Sequence, residues 1–196
     1  MGATEFIDTV ISRIASALNG RAKRSEDIQA LPDRRLLRDV YLPAFGRDGG
    51  RILWVGCRRY TSGYYKIMES QGAEVWTTEL EPRLKRWGRH NRHRTGDICL
   101  ADKLFADMRF DAVICNGVLG YGVDSDAQQV QALEAMARII KPGGRLLVGW
   151  NTDKIADPIA AGFTAPWFAP EPFAGRAARV TFADVTHVYD TFVRLG

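Results

Sequence analysis

A chain of 196 residues, 46% hydrophobic and 26% charged, lies in the ordinary globular range, long enough for one core and short for two. No run of about 18 or more apolar residues occurs, and Met1 to Gly20 carries Glu5 and Asp8 in an amphipathic pattern unlike a signal peptide, so neither a membrane span nor a signal peptide is expected. The net charge of +4 permits attraction to anionic partners without requiring it, so the expectation is one soluble, cytoplasmic domain over residues 1–196 with no membrane partner.

In chain order, Phe6, Val10, Ile11, Ile14 and Leu18 recur at helical spacing and stop at Asn19-Gly20. A second helical stretch opens at Ser25 and Asp27, is interrupted by Pro32, and shows Leu36, Leu37, Val40 and Tyr41 as its apolar face before Pro43 and the turn region Gly46 to Gly50. From Arg51 the texture changes. Ile52 to Val55, Glu74 to Thr77, Ala112 to Cys115 and Arg145 to Val148 have strand length, with helical candidates between them at Tyr64 to Gln71, Arg83 to Arg89 and Ala127 to Ile140. Strands alternating with helices predict an α/β fold, a mostly parallel sheet covered on both faces. Asp157 to Gly175, rich in proline, glycine and aromatic residues, reads as an irregular lid, and Arg179 to Asp184 with His187 to Leu195 as an antiparallel pair that closes the sheet. Cys57, Cys99 and Cys115 lie in or beside apolar segments without metal-ligand spacing, so buried free thiols and no metal are expected.

The first strand runs into Gly56-Cys57-Arg58-Arg59-Tyr60-Thr61-Ser62-Gly63 and then a helix, and a glycine at such a turn lets backbone amides approach a ligand. The second strand ends at Glu79, about twenty residues on, the spacing that sets an acid against a ribose in doubly wound folds. A third acid, Asp97, falls where a short third strand would end and could accept from an adenine amine.

With Phe110-Asp111 before the fourth strand and Lys141-Pro142-Gly143-Gly144 before the fifth, the stretch from Arg51 to Asn151 resembles the class I S-adenosylmethionine-dependent methyltransferases. The resemblance implies a doubly wound, seven-stranded, Rossmann-like sheet with an antiparallel C-terminal hairpin, here behind an N-terminal helical cap over residues 1–45. It implies S-adenosylmethionine as cofactor and S-adenosylhomocysteine as product. The methionine part would lie against Gly56, Cys57, Arg58 and Tyr60, the ribose against Glu79, the adenine between Leu80 and Ile98 with its amine on Asp97, and Asn116-Gly117 beside the methionine part.

Two departures stand out. Arg58 and Arg59 occupy positions where the family turn usually carries glycine, and Arg58 either pairs with the cofactor carboxylate or faces solvent. Tyr121 stands where many members have histidine, which puts base catalysis from that place in doubt. Methyl transfer is an in-line displacement driven largely by positioning, so a base is optional; Tyr121, Asn151 and Asp153 are the candidates, and Trp167 is the tryptophan best placed to touch substrate. The cap and the 157–175 segment are expected to set the acceptor, a small molecule, since little chain remains for a macromolecule-binding domain. The basic run Arg83, Lys85, Arg86, Arg89, Arg92 and Arg94, flanked by His90 and His93, suggests an RNA or protein methyltransferase as the alternative, though a solvated helix face is the favoured reading of it. A non-catalytic binding protein and a nicotinamide oxidoreductase complete the alternatives; the second lacks a full GxGxxG.

Overall fold

The computed structural model describes residues 28–196. The helix expected over Phe6 to Leu18 and the helix opening at Ser25 and Asp27 lie outside the described residues. A continuous helical segment begins with α1 (Pro32–Leu36), passes through a π-helical turn (Leu37–Tyr41) and ends in α2 (Leu42–Asp48). Pro32 interrupts the helical stretch as expected, since residues 28–29 are helical, Leu31 is extended and a new helix starts at Pro32, whereas Pro43, contrary to expectation, does not break the segment. Pro32 stands in the first turn, where its missing N–H has no partner to lose. Pro43 follows the π turn, in which the Leu42 amide bonds to the Leu37 carbonyl five residues back. That widening relieves the clash an α-helix would impose between the proline ring and the Asp39 carbonyl.

The remaining elements are β1 (Arg51–Val55), α3 (Tyr64–Glu69), β2 (Glu74–Glu79), β3 (His93–Thr95), α4 (Ala101–Leu104), β4 (Phe110–Asn116), α5 (Asp126–Ile139), β5 (Ile140–Asn151), β6 (Phe168–Pro170), β7 (Arg179–Thr181) and β8 (His187–Arg194). The sheet order is β3-β2-β1-β4-β5-β8-β6, with β7 also paired to β8. The first five in that order are parallel, and β8 runs antiparallel to β5, β6 and β7. The expected antiparallel closure is present. Eight strands are described where seven were expected, because Phe168–Pro170 inside the expected lid pairs with β8. The helix expected over Arg83 to Arg89 is a 3-10 segment, Pro82–Trp87.

Strand alternation divides the core between the two faces of the sheet. Leu53 and Val55 of β1 face a cluster that contains Phe105, Leu133 and Met136, while Ile52 and Trp54 face one with Leu37, Phe45 and Met68. Helix α5 starts at a capping box in which Ser125 accepts from the Gln128 amide and the Gln128 side chain accepts from the Ser125 amide. Asp111 joins the strand starts at the opposite edge: its carboxylate accepts from the Arg51 amide at 2.7 Å and from Lys141 Nζ at 2.6 Å. The order in which successive strands are added reverses between β1 and β4, the place where doubly wound sheets open a crevice at their carboxyl ends.

Candidate active site

The crevice is there, a cleft of about 230 Å³. Ligand pockets of drug-sized molecules run to roughly 300–1,000 Å³, so a nucleoside-sized ligand would fill it and extend past its rim. Its wall is formed by the ends of β1, β2 and β4 and the turns that follow them, including Gly56, Arg58, Tyr60, Glu79, Leu80, Asp97, Ile98, Asn116, Gly117 and Tyr121.

Gly56 holds φ +85, a conformation that costs other residues strain, and its amide donates to the Thr78 carbonyl at 2.9 Å. The chain thereby turns across the end of β2, and the next amide, Cys57 N–H, donates to Glu79 Oε2 at 2.8 Å. Arg58 Nη1 donates to the same oxygen at 2.6 Å, and the Glu81 amide reaches Oε1 at 3.0 Å. Glu79 is therefore a buried carboxylate held by three donors. Arg58 is half-exposed with its guanidinium on Glu79, a pairing that neither reading of this residue included.

Asp97, after β3, accepts the Cys99 amide on Oδ1 at 2.9 Å, which caps a short 3-10 turn and leaves its second oxygen for another donor. Ile98 beside it is buried, whereas Leu80 is 60% exposed at the cleft and offers an apolar surface to a ligand there. At the end of β4, Asn116 Oδ1 lies 3.0 Å from His187 Nε2. His187 Nδ1 lies 3.0 Å from Asn151 Oδ1, which the exposed Tyr121 hydroxyl approaches at 3.4 Å.

Four expected residues do not line the cleft, among them Asp153, whose carboxylate accepts from the Thr186 hydroxyl. Cys57 contributes its amide, but its side chain is buried, and burial pushes its thiol up to about 11. Asn151 is tied to the rim through Tyr121. Trp167 packs against the core, because β6 pairs at the sheet edge far from β1 and β4 and carries the preceding residues with it. Nothing in 157–175 lines the cleft. All three cysteines are buried and free. Among the described residues, no group of three or more His, Cys, Asp or Glu is placed to hold a metal ion.

His187 is the residue that sequence reasoning passed over. It reads as one more polar residue in a terminal strand, and its partner Asn116 is 71 residues away. Desolvation, followed by the charge of Arg34, holds its imidazole down to about 3.

The basic run is half neutralised, its six cations set against the three acids Glu69, Glu81 and Asp107. Arg89 and Arg92 lie 2.8 and 3.5 Å from Glu69, Arg94 pairs with Asp107 at 2.6 Å, and Arg83 pairs with Glu81 at 2.9 Å. The His93 ring contacts the hydroxyls of Thr77 and Thr95 at 2.9 and 3.1 Å.

The polar lining suits an adenosyl ligand: two acceptor carboxylates at the ends of the neighbouring parallel strands β2 and β3, an apolar residue beside each, and a carboxamide at the end of β4. One adjustment is required, since Glu79 is already engaged by Arg58. Comparison with known proteins points the same way. Residues 53–148 match the family described as "Methyltransferase domain". The ubiquinone/menaquinone biosynthesis C-methyltransferase UbiE of Burkholderia mallei (strain SAVP1) is 30% identical over 137 residues, 66% of this chain. The chain spans 54% of the length of that relative. The N-methyltransferase NodS from Bradyrhizobium japonicum WM9 superposes with a TM-score of 0.64 over 86% of this chain and 99% of its own, at 16% identity. The 1,6-didemethyltoxoflavin-N1-methyltransferase of Burkholderia thailandensis, solved with its substrate and S-adenosylhomocysteine, gives 0.56 over 100% of this chain and 92% of its own, at 18% identity. With the motifs in order along the strand ends and the family match over the sheet that carries them, the chain belongs to the class I S-adenosylmethionine-dependent methyltransferases.

Proposed function

We propose that the chain transfers the methyl group of S-adenosylmethionine to an oxygen or nitrogen of a small molecule and releases S-adenosylhomocysteine. The observation that carries this reading is the pair Glu79 and Asp97 on one cleft wall, with Leu80 and Ile98 between them. In this reading Glu79 accepts from the ribose hydroxyls and Asp97 from the adenine amine, while Leu80 and Ile98 bracket the ring. Gly56 to Tyr60 and Asn116-Gly117 flank the methionine part. The cofactor supplies an electrophilic methyl group on a sulfonium; the chain's own residues hold it, orient it and keep water out.

No imidazole lines the cleft, and Tyr121 is the titratable residue at its rim on the β4 side. An acceptor that arrives as a neutral amine or an ionised phenol needs no base, which suits such a wall. A small acceptor is favoured over RNA because the arginines at 83, 89, 92 and 94 are already paired with acids. The two superposed methyltransferases named above are an N-methyltransferase and an N1-methyltransferase. A carbon acceptor is the second reading, favoured by the sequence likeness to the quinone C-methyltransferase.

Calorimetric titration with S-adenosylmethionine, S-adenosylhomocysteine and NAD tests the reading. Binding of both adenosyl ligands but not NAD, weakened about tenfold or more by Glu79→Ala or Asp97→Ala, is expected for a lost charged hydrogen bond. A folded protein that ignores both adenosyl ligands at millimolar concentration would overturn it.

A further inference from the structure

His187 is 2% exposed and joins two carboxamides, Asn116 on the cleft wall and Asn151 behind Tyr121. The protons along this chain follow from its far end. Thr186 Oγ1 donates to Asp153 Oδ1 at 2.6 Å, and a carboxylate can only accept. Having spent its one proton there, the Thr186 hydroxyl must accept from Asn151 Nδ2 at 2.9 Å. The Asn151 carboxamide is thereby fixed with Oδ1 toward the ring, 3.0 Å from Nδ1, and that nitrogen carries the imidazole proton.

A neutral imidazole has one proton, so with Nδ1 protonated Nε2 is a bare acceptor. The charged and titratable groups around it give no counter-charge for a second proton. Arg34 of α1 repels it, Tyr189 of β8 presents a ring at 4.6 Å, and Asp153 is three hydrogen bonds away, beyond Asn151 and Thr186. Two oxygens therefore cannot both face this ring. The ends of a carboxamide have nearly the same shape, and which end faces which partner is decided by donors and acceptors.

We propose that His187 is a positioning residue for Asn116: its bare Nε2 accepts from the Asn116 amide, which turns the Asn116 carbonyl oxygen toward the cleft. The cleft then offers an oriented acceptor for a cationic or N–H-bearing group of the ligand. On the reading given above, on which the nature of that ligand group rests, it is the ammonium of the cofactor's methionine part. The fold makes room for this contact specifically. A Cβ on Gly149, the β5 residue paired with Asn116, would stand 2.1 Å from the Asn116 Oδ1 position and 2.8 Å from His187 Nε2.

The test is the 15N spectrum of histidine-labelled, ligand-free protein. The expected signature is Nδ1 protonated and Nε2 bare, unchanged down to about pH 5, where a free imidazole is doubly protonated. In Asn116→Asp a carboxylate faces Nε2, and the ring is expected to become doubly protonated near neutral pH. His187→Phe should weaken S-adenosylmethionine binding about tenfold or more, and His187→Gln, which offers one donor and one acceptor, should restore it to within about threefold. A wild-type ring protonated at Nε2 would overturn the proposal, as would a folded Gln variant that binds no better than Phe. The spectrum needs no cofactor, so its outcome is independent of whether the methyltransferase reading stands.

Discussion

Arg58 and the Cys57 amide share one oxygen of Glu79, at 2.6 and 2.8 Å, and the Glu81 amide takes the other at 3.0 Å. A carboxylate offers about four acceptor positions, so little remains for a ribose diol until one donor leaves. The backbone amides are fixed by the turn, and the half-exposed arginine is the donor free to swing away. Arg58→Ala is therefore expected to bind S-adenosylmethionine as tightly as wild type or up to about fivefold tighter, measured by calorimetry. A clear loss of affinity would mean that the guanidinium moves onto the ligand instead.

Arg179 of β7 forks between Asp157, at 2.6 Å, and Asp190 of β8, at 2.6 Å, and Asp190 also takes the Trp150 indole at 2.8 Å. Removing the arginine strands the buried Asp190 carboxylate. Breaking a fully buried pair costs about 3–5 kcal/mol; with the Arg179 side chain 39% exposed, roughly 2–3 kcal/mol is expected for Arg179→Ala. Urea unfolding reads this directly, and a loss below about 0.5 kcal/mol would show that water replaces the fork.

The buried imidazole sets an acid limit on the fold. His187 titrates at about 3 in the folded chain against an ordinary 6.5. As pH falls below 6.5, the unfolded chain takes up a proton that the folded ring refuses, so stability drops by about 1.4 kcal/mol per pH unit until the folded value is reached. From about pH 7 to about pH 5 this amounts to roughly 2 kcal/mol. His187→Gln should remove that part of the slope, and an equally steep variant would assign it to other groups.

The half-neutralised basic run predicts weak attraction to polyanions. At about 150 mM salt, homopolymeric RNA is expected to leave the protein unbound in a gel-shift or anisotropy titration. Micromolar binding that weakens steeply with added salt would move the acceptor assignment to nucleic acid.

The cofactor side of the cleft was legible because it depends on strand ends. A period of two and the approximate length of β1 and β2 put Gly56 and Glu79 at one edge, whatever the side chains around them do. Asp97 follows by the same logic from β3. Long-range choices were not legible. Arg58 is an exposed arginine by composition, and only the turn at Gly56 aims it at a residue 21 positions away. Trp167 looked available because its neighbours are proline, glycine and aromatic residues, yet those aromatics pack on the core and β6 joins the sheet. Pro43 looked like a terminator because nothing local announces a π turn.

The position of β8 bears on how the molecule is made. It comes last of the described strands in the chain, yet it lies inside the sheet, between β5 on one side and β6 with β7 on the other. A ribosome that has delivered the chain only through β7 holds five parallel strands with β5 as a bare edge and two short strands with nothing to pair against. During that interval Asn116 has no imidazole beside it. The side of the cleft that carries Glu79 and Asp97 is complete well before the side that carries Asn116, so a nascent chain should assemble the cleft in two instalments, the second only when His187–Arg194 has threaded into its slot.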